Sequence, residues 1–181
     1  MKGKVYGFLG DGSYITSKPF ADYCRSLQSA TCEVEIVADS GRDTGKVCVD
    51  IVGEDRDCGI ILIGYSLGAN GCAWVQSALV PWCKMLKIPV RPIELIVGFD
   101  PTSNGPALSN YPIGSHVKKC ICFHQTSYLF PSSLLFGHGV YTAAPGGPQI
   151  ETIACKADHL WVQASKSLQT ICSNVVNSVL A

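Results

Sequence analysis

The sequence predicts an α/β fold: a three-layer sandwich with a mostly parallel sheet of about six strands and helices on both faces. Two observations carry this prediction. Short runs rich in β-branched residues, such as Gly59–Gly64 (GIILIG) and Glu94–Phe99 (ELIVGF), alternate with longer segments of helical periodicity. The runs are also continuously apolar, the pattern of strands covered on both faces, as in parallel sheets. Right-handed crossovers then predict the strand order 2-1-3-4-5-6. In such a sheet, ligands bind beyond the carboxyl ends of the strands, where the order reverses. Chemistry is therefore expected directly after strands.

Taken in order, Lys4–Leu9 (KVYGFL) is the first strand, ended by the turn Gly10-Asp11-Gly12-Ser13. A helix follows, capped by Ser17, with Pro19 in its first turn and Phe20, Tyr23, Cys24 and Leu27 on one face. Glu33–Ala38 is the second strand. Thr44 caps a short helix carrying Val47, Cys48, Ile51 and Val52, which Gly53 ends. Gly59–Gly64 is the third strand, and a helix from about Leu67 to Met85 follows, with Pro81 expected to kink or break it. Glu94–Phe99 and Val117–Phe123 are the fourth and fifth strands. A long loop leads to the sixth at Ile150–Ala154. A final amphipathic helix carries Leu160, Ala164, Leu168, Ile171, Val175 and Val179 at three- and four-residue steps.

At 181 residues a single domain over 1–181 is expected. With 47% apolar and 15% charged residues the chain is not disordered. Lys plus Arg and Asp plus Glu both number 14, and no basic run occurs, so nucleic acid is not an expected partner. No stretch approaches the roughly 20 apolar residues of a membrane span. Residues 1–9 (MKGKVYGFL) are too short and too mixed for a signal-peptide core, which makes the cytoplasm the default expectation. The ten cysteines include no CxxC and no zinc spacing, so no metal is expected. They read as buried or half-buried free thiols acting as small apolar residues.

Directly after the third strand stands Gly64-Tyr65-Ser66-Leu67-Gly68, a G-x-S-x-G placed between strand and helix. The serine of such a turn sits in a strained backbone conformation, and the residues two before and two after must be small. Alone, the pattern also fits an ordinary glycine-rich turn. Asp100 ends the fourth strand in Val97-Gly98-Phe99-Asp100-Pro101, and His159 lies between the last strand and the final helix. Each taken singly is a turn aspartate or a surface histidine. Together all three follow strands, in the order nucleophile, acid, base. His124, at the end of the fifth strand, is the alternative base or a wall of the site; His116 and His138 read as loop residues. The backbone N–H of Leu67, and that of Asp11 in the loop after the first strand, are the expected oxyanion donors.

The segments GYSLGAN at 64–70, GFDP at 98–101 and ADHLW at 157–161 resemble the nucleophile elbow, acid loop and histidine loop of α/β-hydrolases, in particular small lipase- and cutinase-like serine esterases. The resemblance covers most of the chain in layout and these short motifs in sequence. It implies an α/β-hydrolase fold with Ser66 as nucleophile, Asp100 as acid and His159 as base, cleaving a carboxylic ester through an acyl-enzyme without metal or organic cofactor. The Asp11 carboxylate departs from the pattern, since negative charge would oppose a nearby oxyanion. Gly10-Asp11-Gly12-Ser13 also faintly resembles the start of Gly-Asp-Ser esterases. Their acid stands three residues before the histidine; Lys156 occupies that position here.

A small-molecule or lipid-like ester is the expected substrate, shaped by the loops at 101–116 and 125–149. Tyr65, Tyr128, Phe130 and Phe136 are the candidate contacts, and the apolar second loop is either an acyl-binding wall or lid, or simply core packing. A thioesterase or acyltransferase with the same triad is the first alternative, and a binding protein with an idle triad the second.

Overall fold

In the computed structural model, residues 1–10, 14–38, 41–103, 109–126, 137–157 and 159–181 are described. In chain order the elements are β1 (Gly3–Phe8), α1 (Tyr14–Arg25), β2 (Cys32–Val37), α2 (Thr44–Gly53), β3 (Gly59–Tyr65), α3 (Leu67–Leu86), β4 (Leu95–Phe99), β5 (Thr102–Ser103), β6 (Ser109–Ile113), β7 (Cys120–Gln125), β8 (Gly137–Ala143), β9 (Ile150–Cys155), α4 (His159–Val162) and α5 (Lys166–Leu180). Six strands form one sheet in the order β2-β1-β3-β4-β7-β9, every neighbouring pair parallel. Counted within that sheet alone, this is 2-1-3-4-5-6. The full count differs because β5, β6 and β8 form a second, three-stranded sheet. The switch point lies between β1 and β3, so the end of β3 faces the crevice.

Strand alternation builds two cores. On β3, Ile61, Ile63 and Tyr65 face one side, where Phe20 and Cys24 of α1 and Leu168, Cys172 and Val176 of α5 cover them. Ile60 and Leu62 face the other, against Val47, Cys48 and Ile51 of α2 and Ala69, Cys72 and Leu79 of α3. All seven residues of β3 are buried, which is why its sequence is apolar without interruption. The small residues of α3 let it lie close to the sheet.

Four local expectations are corrected. Helix α1 begins at Tyr14, so Ser17 is a buried residue inside it rather than its cap. Pro81 does not break α3, which runs unbroken from Leu67 to Leu86. Ser77, whose carbonyl loses its helical donor to Pro81, is solvent-exposed, and water can replace the bond. The last helix is two: α4 stops at Val162, and Ser165 is the N-cap of α5. The loops at 101–116 and 125–149 contain strands, and His138 falls in β8. That small sheet is pinned to the main body by Tyr141. Its ring fills the space over Gly98, where a Cβ would lie 2.6 Å from it, and its hydroxyl donates to the Ala69 carbonyl at 2.6 Å.

All ten cysteines are free thiols, nine buried and Cys58 half-buried. Burial pushes the Cys48 thiol up to about 11 and those of Cys122 and Cys172 to about 12, so they behave as apolar groups.

At the opposite end of the sheet from the crevice, Lys4 of β1 is 8% exposed and meets four carboxylates. Its Nζ lies 2.6 Å from Asp50 Oδ2 and 2.7 Å from Glu54 Oε1, and Tyr6 donates to the same Asp50 oxygen at 2.7 Å. Burial alone would raise the Asp50 carboxyl, but the bonds from Lys4 and Tyr6 outweigh it and hold the group below the usual carboxylate range. A depressed carboxylate contributes stability that is present above its unfolded value and lost as pH falls through the folded one. Lys4→Met is expected to lower stability near neutrality by about 1–3 kcal/mol, the value of charged hydrogen bonds discounted for the partly exposed carboxylates. Urea unfolding checks this: the gap between wild type and variant should narrow at about pH 3, where free carboxylates titrate. Equal midpoints at neutral pH would remove this role for Lys4.

Candidate active site

Ser66 occupies the single residue between β3 and α3, as N-cap of the helix, with φ 57° and ψ −126°. A non-glycine residue at positive φ costs roughly 1–3 kcal/mol and persists only where its surroundings enforce it. Here its N–H donates to the Phe99 carbonyl at 3.0 Å, and its own carbonyl accepts from the Ala69 N–H at 3.0 Å. The flanking glycines make the turn sterically possible. A Cβ on Gly64 would lie 2.4 Å from the Gly68 carbonyl oxygen, and one on Gly68 would lie 2.1 Å from that of Phe8. Strain, small neighbours and the start of a 20-residue helix thus present the hydroxyl at the carboxyl end of the sheet.

Asp100 follows β4, beside β3, and is also held at positive φ, 50°. Its N–H donates to the Phe123 carbonyl at 2.7 Å, and its Oδ1 accepts the Gln125 N–H at 3.2 Å. Its Oδ2 lies 2.6 Å from His159 Nδ1. His159 opens α4, and its Nε2 lies 2.9 Å from Ser66 Oγ. Ser66 is 3% exposed, Asp100 1% and His159 2%, so the three form a continuous chain screened from water. With a proton on Nδ1, the ring donates to the carboxylate and leaves Nε2 to accept from the hydroxyl. That is the arrangement a general base needs to activate a serine.

The other sequence-derived site residues are placed unevenly. Leu67 is the first residue of α3, where helix N–H groups and the macrodipole favour negative charge. Asp11, Tyr128, Phe130, Phe136 and Asp158 lie outside the described residues. Gly10, just before Asp11, is buried, and a Cβ there would sit 3.3 Å from Ser66 Cβ. Gly10, shortly after β1, therefore lies against Ser66. His124 does not replace His159: its Nδ1 stands 3.9 Å from Asp100 Oδ1, on the acid's other oxygen.

Tyr65, the expected substrate contact, is 3% exposed and belongs to the core beneath α1. Its ring stacks on the His159 imidazole, with centroids 5.4 Å apart and planes at 29°, and its hydroxyl donates to the His159 carbonyl at 3.0 Å. The signal was present in the sequence, since alternation along β3 places residue 65 on the same inward face as Ile61 and Ile63. The backbone contacts of Asp100 with Phe123 and Gln125 carry no such signal.

Among the described residues, no group of three or more His, Cys, Asp or Glu side chains could hold a metal ion, and no helix is long and apolar enough to cross a membrane.

No protein-family model matches the chain, and no curated protein sequence does. Solved structures match over nearly its whole length. ClbQ from the colibactin NRPS/PKS pathway superposes with a TM-score of 0.59 at 9% identity, covering 99% of this chain and 97% of that one. Human thioesterase 2 gives 0.59 at 10% identity, covering 99% and 96%. YbtT, a type II thioesterase from the yersiniabactin NRPS/PKS biosynthetic pathway, gives 0.55 at 10% identity, covering 99% and 95%. At 9–10% identity these matches show a shared fold, a parallel sheet with helices on both faces.

Proposed function

We propose that the chain is a serine hydrolase that cleaves acyl thioesters, with Ser66 as nucleophile, His159 as general base and acid, and Asp100 as the acid that orients the base. The observation that carries the reading is the unbroken run from Asp100 Oδ2 through His159 to Ser66 Oγ, at 2.6 and 2.9 Å. The thioester choice is supported by the structural neighbours described above, two of them thioesterases by name.

In the first half-reaction His159 Nε2 takes the Ser66 proton as Oγ attacks the acyl carbonyl. The new imidazolium is held by Asp100, while the developing oxyanion is met by the N-terminal end of α3 at Leu67. The tetrahedral intermediate collapses, the carbon–sulfur bond breaks, and His159 returns its proton to the departing sulfur. In the second half-reaction the same imidazole deprotonates a water, which attacks the acyl-Ser66 ester and releases a carboxylic acid and the free hydroxyl. The acyl acceptor is water, and no redox step is involved.

Acyl-coenzyme A and acyl-N-acetylcysteamine thioesters, set against ethyl and p-nitrophenyl esters of the same acyl groups, test this reading. The expected result is a kcat/KM at least about tenfold higher for the thioester than for the unactivated ethyl ester. The reverse preference would return the function to a lipase- or cutinase-like carboxylic ester hydrolase, which the same triad serves equally well. No turnover of any member would leave a binding protein with an idle triad.

A further inference from the structure

Tyr65 is adjacent to Ser66 yet makes a polar contact 94 residues away, on the segment that carries His159. We propose that Tyr65 is the positioning residue for His159, a role that rests on the serine hydrolase reading above. Two separate contacts support it. The phenol hydroxyl donates to the His159 carbonyl at 3.0 Å in a buried setting, which fixes the backbone at the start of α4. The phenol ring stacks on the imidazole itself, 5.4 Å between centroids at 29°. Helix α4 is only four residues long and cannot by itself hold its first residue in register.

The two holds on the base are complementary. Asp100 fixes the rotation of the ring through Nδ1, at 2.6 Å. Tyr65 fixes the height of the ring and of the main chain bearing it. Tyr65 is in turn locked by the aromatic cluster beneath it, with Phe20 at 5.9 Å and Phe20 packed edge-on against Phe99 at 5.6 Å. Because Tyr65 and Ser66 share one strained turn, nucleophile and base are set by the same piece of backbone, and their 2.9 Å separation is fixed locally. The stacked face also matters during turnover. When His159 takes the Ser66 proton it becomes a cation, and an aromatic face against it favours that charged form. The contribution therefore appears in the transition state more than in substrate binding.

Tyr65→Phe keeps the ring and removes the hydroxyl; Tyr65→Leu removes both. With the thioester panel and active-site titration by a fluorophosphonate, Tyr65→Phe is expected to lower kcat about fivefold and Tyr65→Leu about a hundredfold, with KM within about twofold in both. The rate of fluorophosphonate labelling should fall in the same order, since it depends on the same base. Tyr65→Phe is nearly isosteric and retains the core packing, so it reports even if Tyr65→Leu folds poorly. A rise in KM at constant kcat would make Tyr65 a substrate contact and overturn the proposal. So would wild-type kcat per titrated site alongside a lowered melting temperature, the signature of a purely structural residue. Both outcomes require an active wild type. A wild type that neither labels nor turns over overturns the hydrolase reading and this one with it.

Discussion

Ser66→Ala is expected to reduce turnover by about five to six orders of magnitude, to the residual rate that binding and oxyanion stabilisation alone provide. The size follows from geometry. Ser66 Oγ is the atom that His159 Nε2 meets at 2.9 Å, and His124, the other histidine near the site, faces Asp100 instead. The fold should survive the change. Alanine keeps the Cβ, and the N–H bond to Phe99 and the flanking glycines still hold the turn. Losing the buried bond to His159 should lower stability by about 0.5–1.5 kcal/mol, the usual worth of one hydrogen bond. Steady-state kinetics and urea unfolding on the same preparation separate the two effects. Near-full activity in this variant would place the nucleophile elsewhere.

Asp100→Asn is expected to lower kcat by about 10⁴-fold while KM changes little. The carboxylate receives the His159 Nδ1 proton at 2.6 Å and supports the imidazolium that forms during each proton transfer. An asparagine amide turned toward Nδ1 donates instead of accepting. It forces the proton onto Nε2, the nitrogen that must accept from Ser66. The other oxygen has its own anchor, the Gln125 N–H at 3.2 Å, which orients the carboxylate and would orient the amide carbonyl in the same way. The backbone at φ 50° tolerates asparagine as readily as aspartate. The variant therefore tests charge and tautomer rather than folding. A loss below about tenfold, or a loss confined to KM, would remove Asp100 from the relay.

The site was legible in the sequence wherever a residue type is dictated by backbone geometry. Gly64 and Gly68 cannot carry a side chain because Gly68 and Phe8 carbonyls occupy that space, so the elbow announces itself. Asp100 and His159 were legible through position, since both follow strands of a sheet whose order could be argued from crossovers. The two cores were legible because β3 and β4 are buried end to end and their sequences are apolar end to end.

What escaped depends on contacts distant in sequence. Ser109–Ile113 (SNYPI) and Gly137–Ala143 (GHGVYTA) contain proline and glycine and lack strand alternation, yet they pair in parallel with partners 30 residues apart, as Ser109 with Gly139. Their partner is fixed by Tyr141 filling the space over Gly98 and by Gln76, which binds the Pro112 carbonyl at 2.9 Å and accepts the Gly114 N–H at 3.1 Å. None of those pairings is visible locally. The contact of Tyr65 with the His159 carbonyl, far away in sequence, is likewise invisible locally, although alternation along β3 places its side chain on the face of Ile61 and Ile63.

Peptide mapping after treatment with a fluorophosphonate reads out whether Ser66 is an activated nucleophile, because the reagent reacts readily with a hydroxyl that a neighbouring base has activated. One adduct per chain is expected, on the peptide bearing Ser66, absent from Ser66→Ala and slow to form in Asp100→Asn. A folded chain that takes no label, or one whose label persists in Ser66→Ala, would contradict Ser66 as that nucleophile.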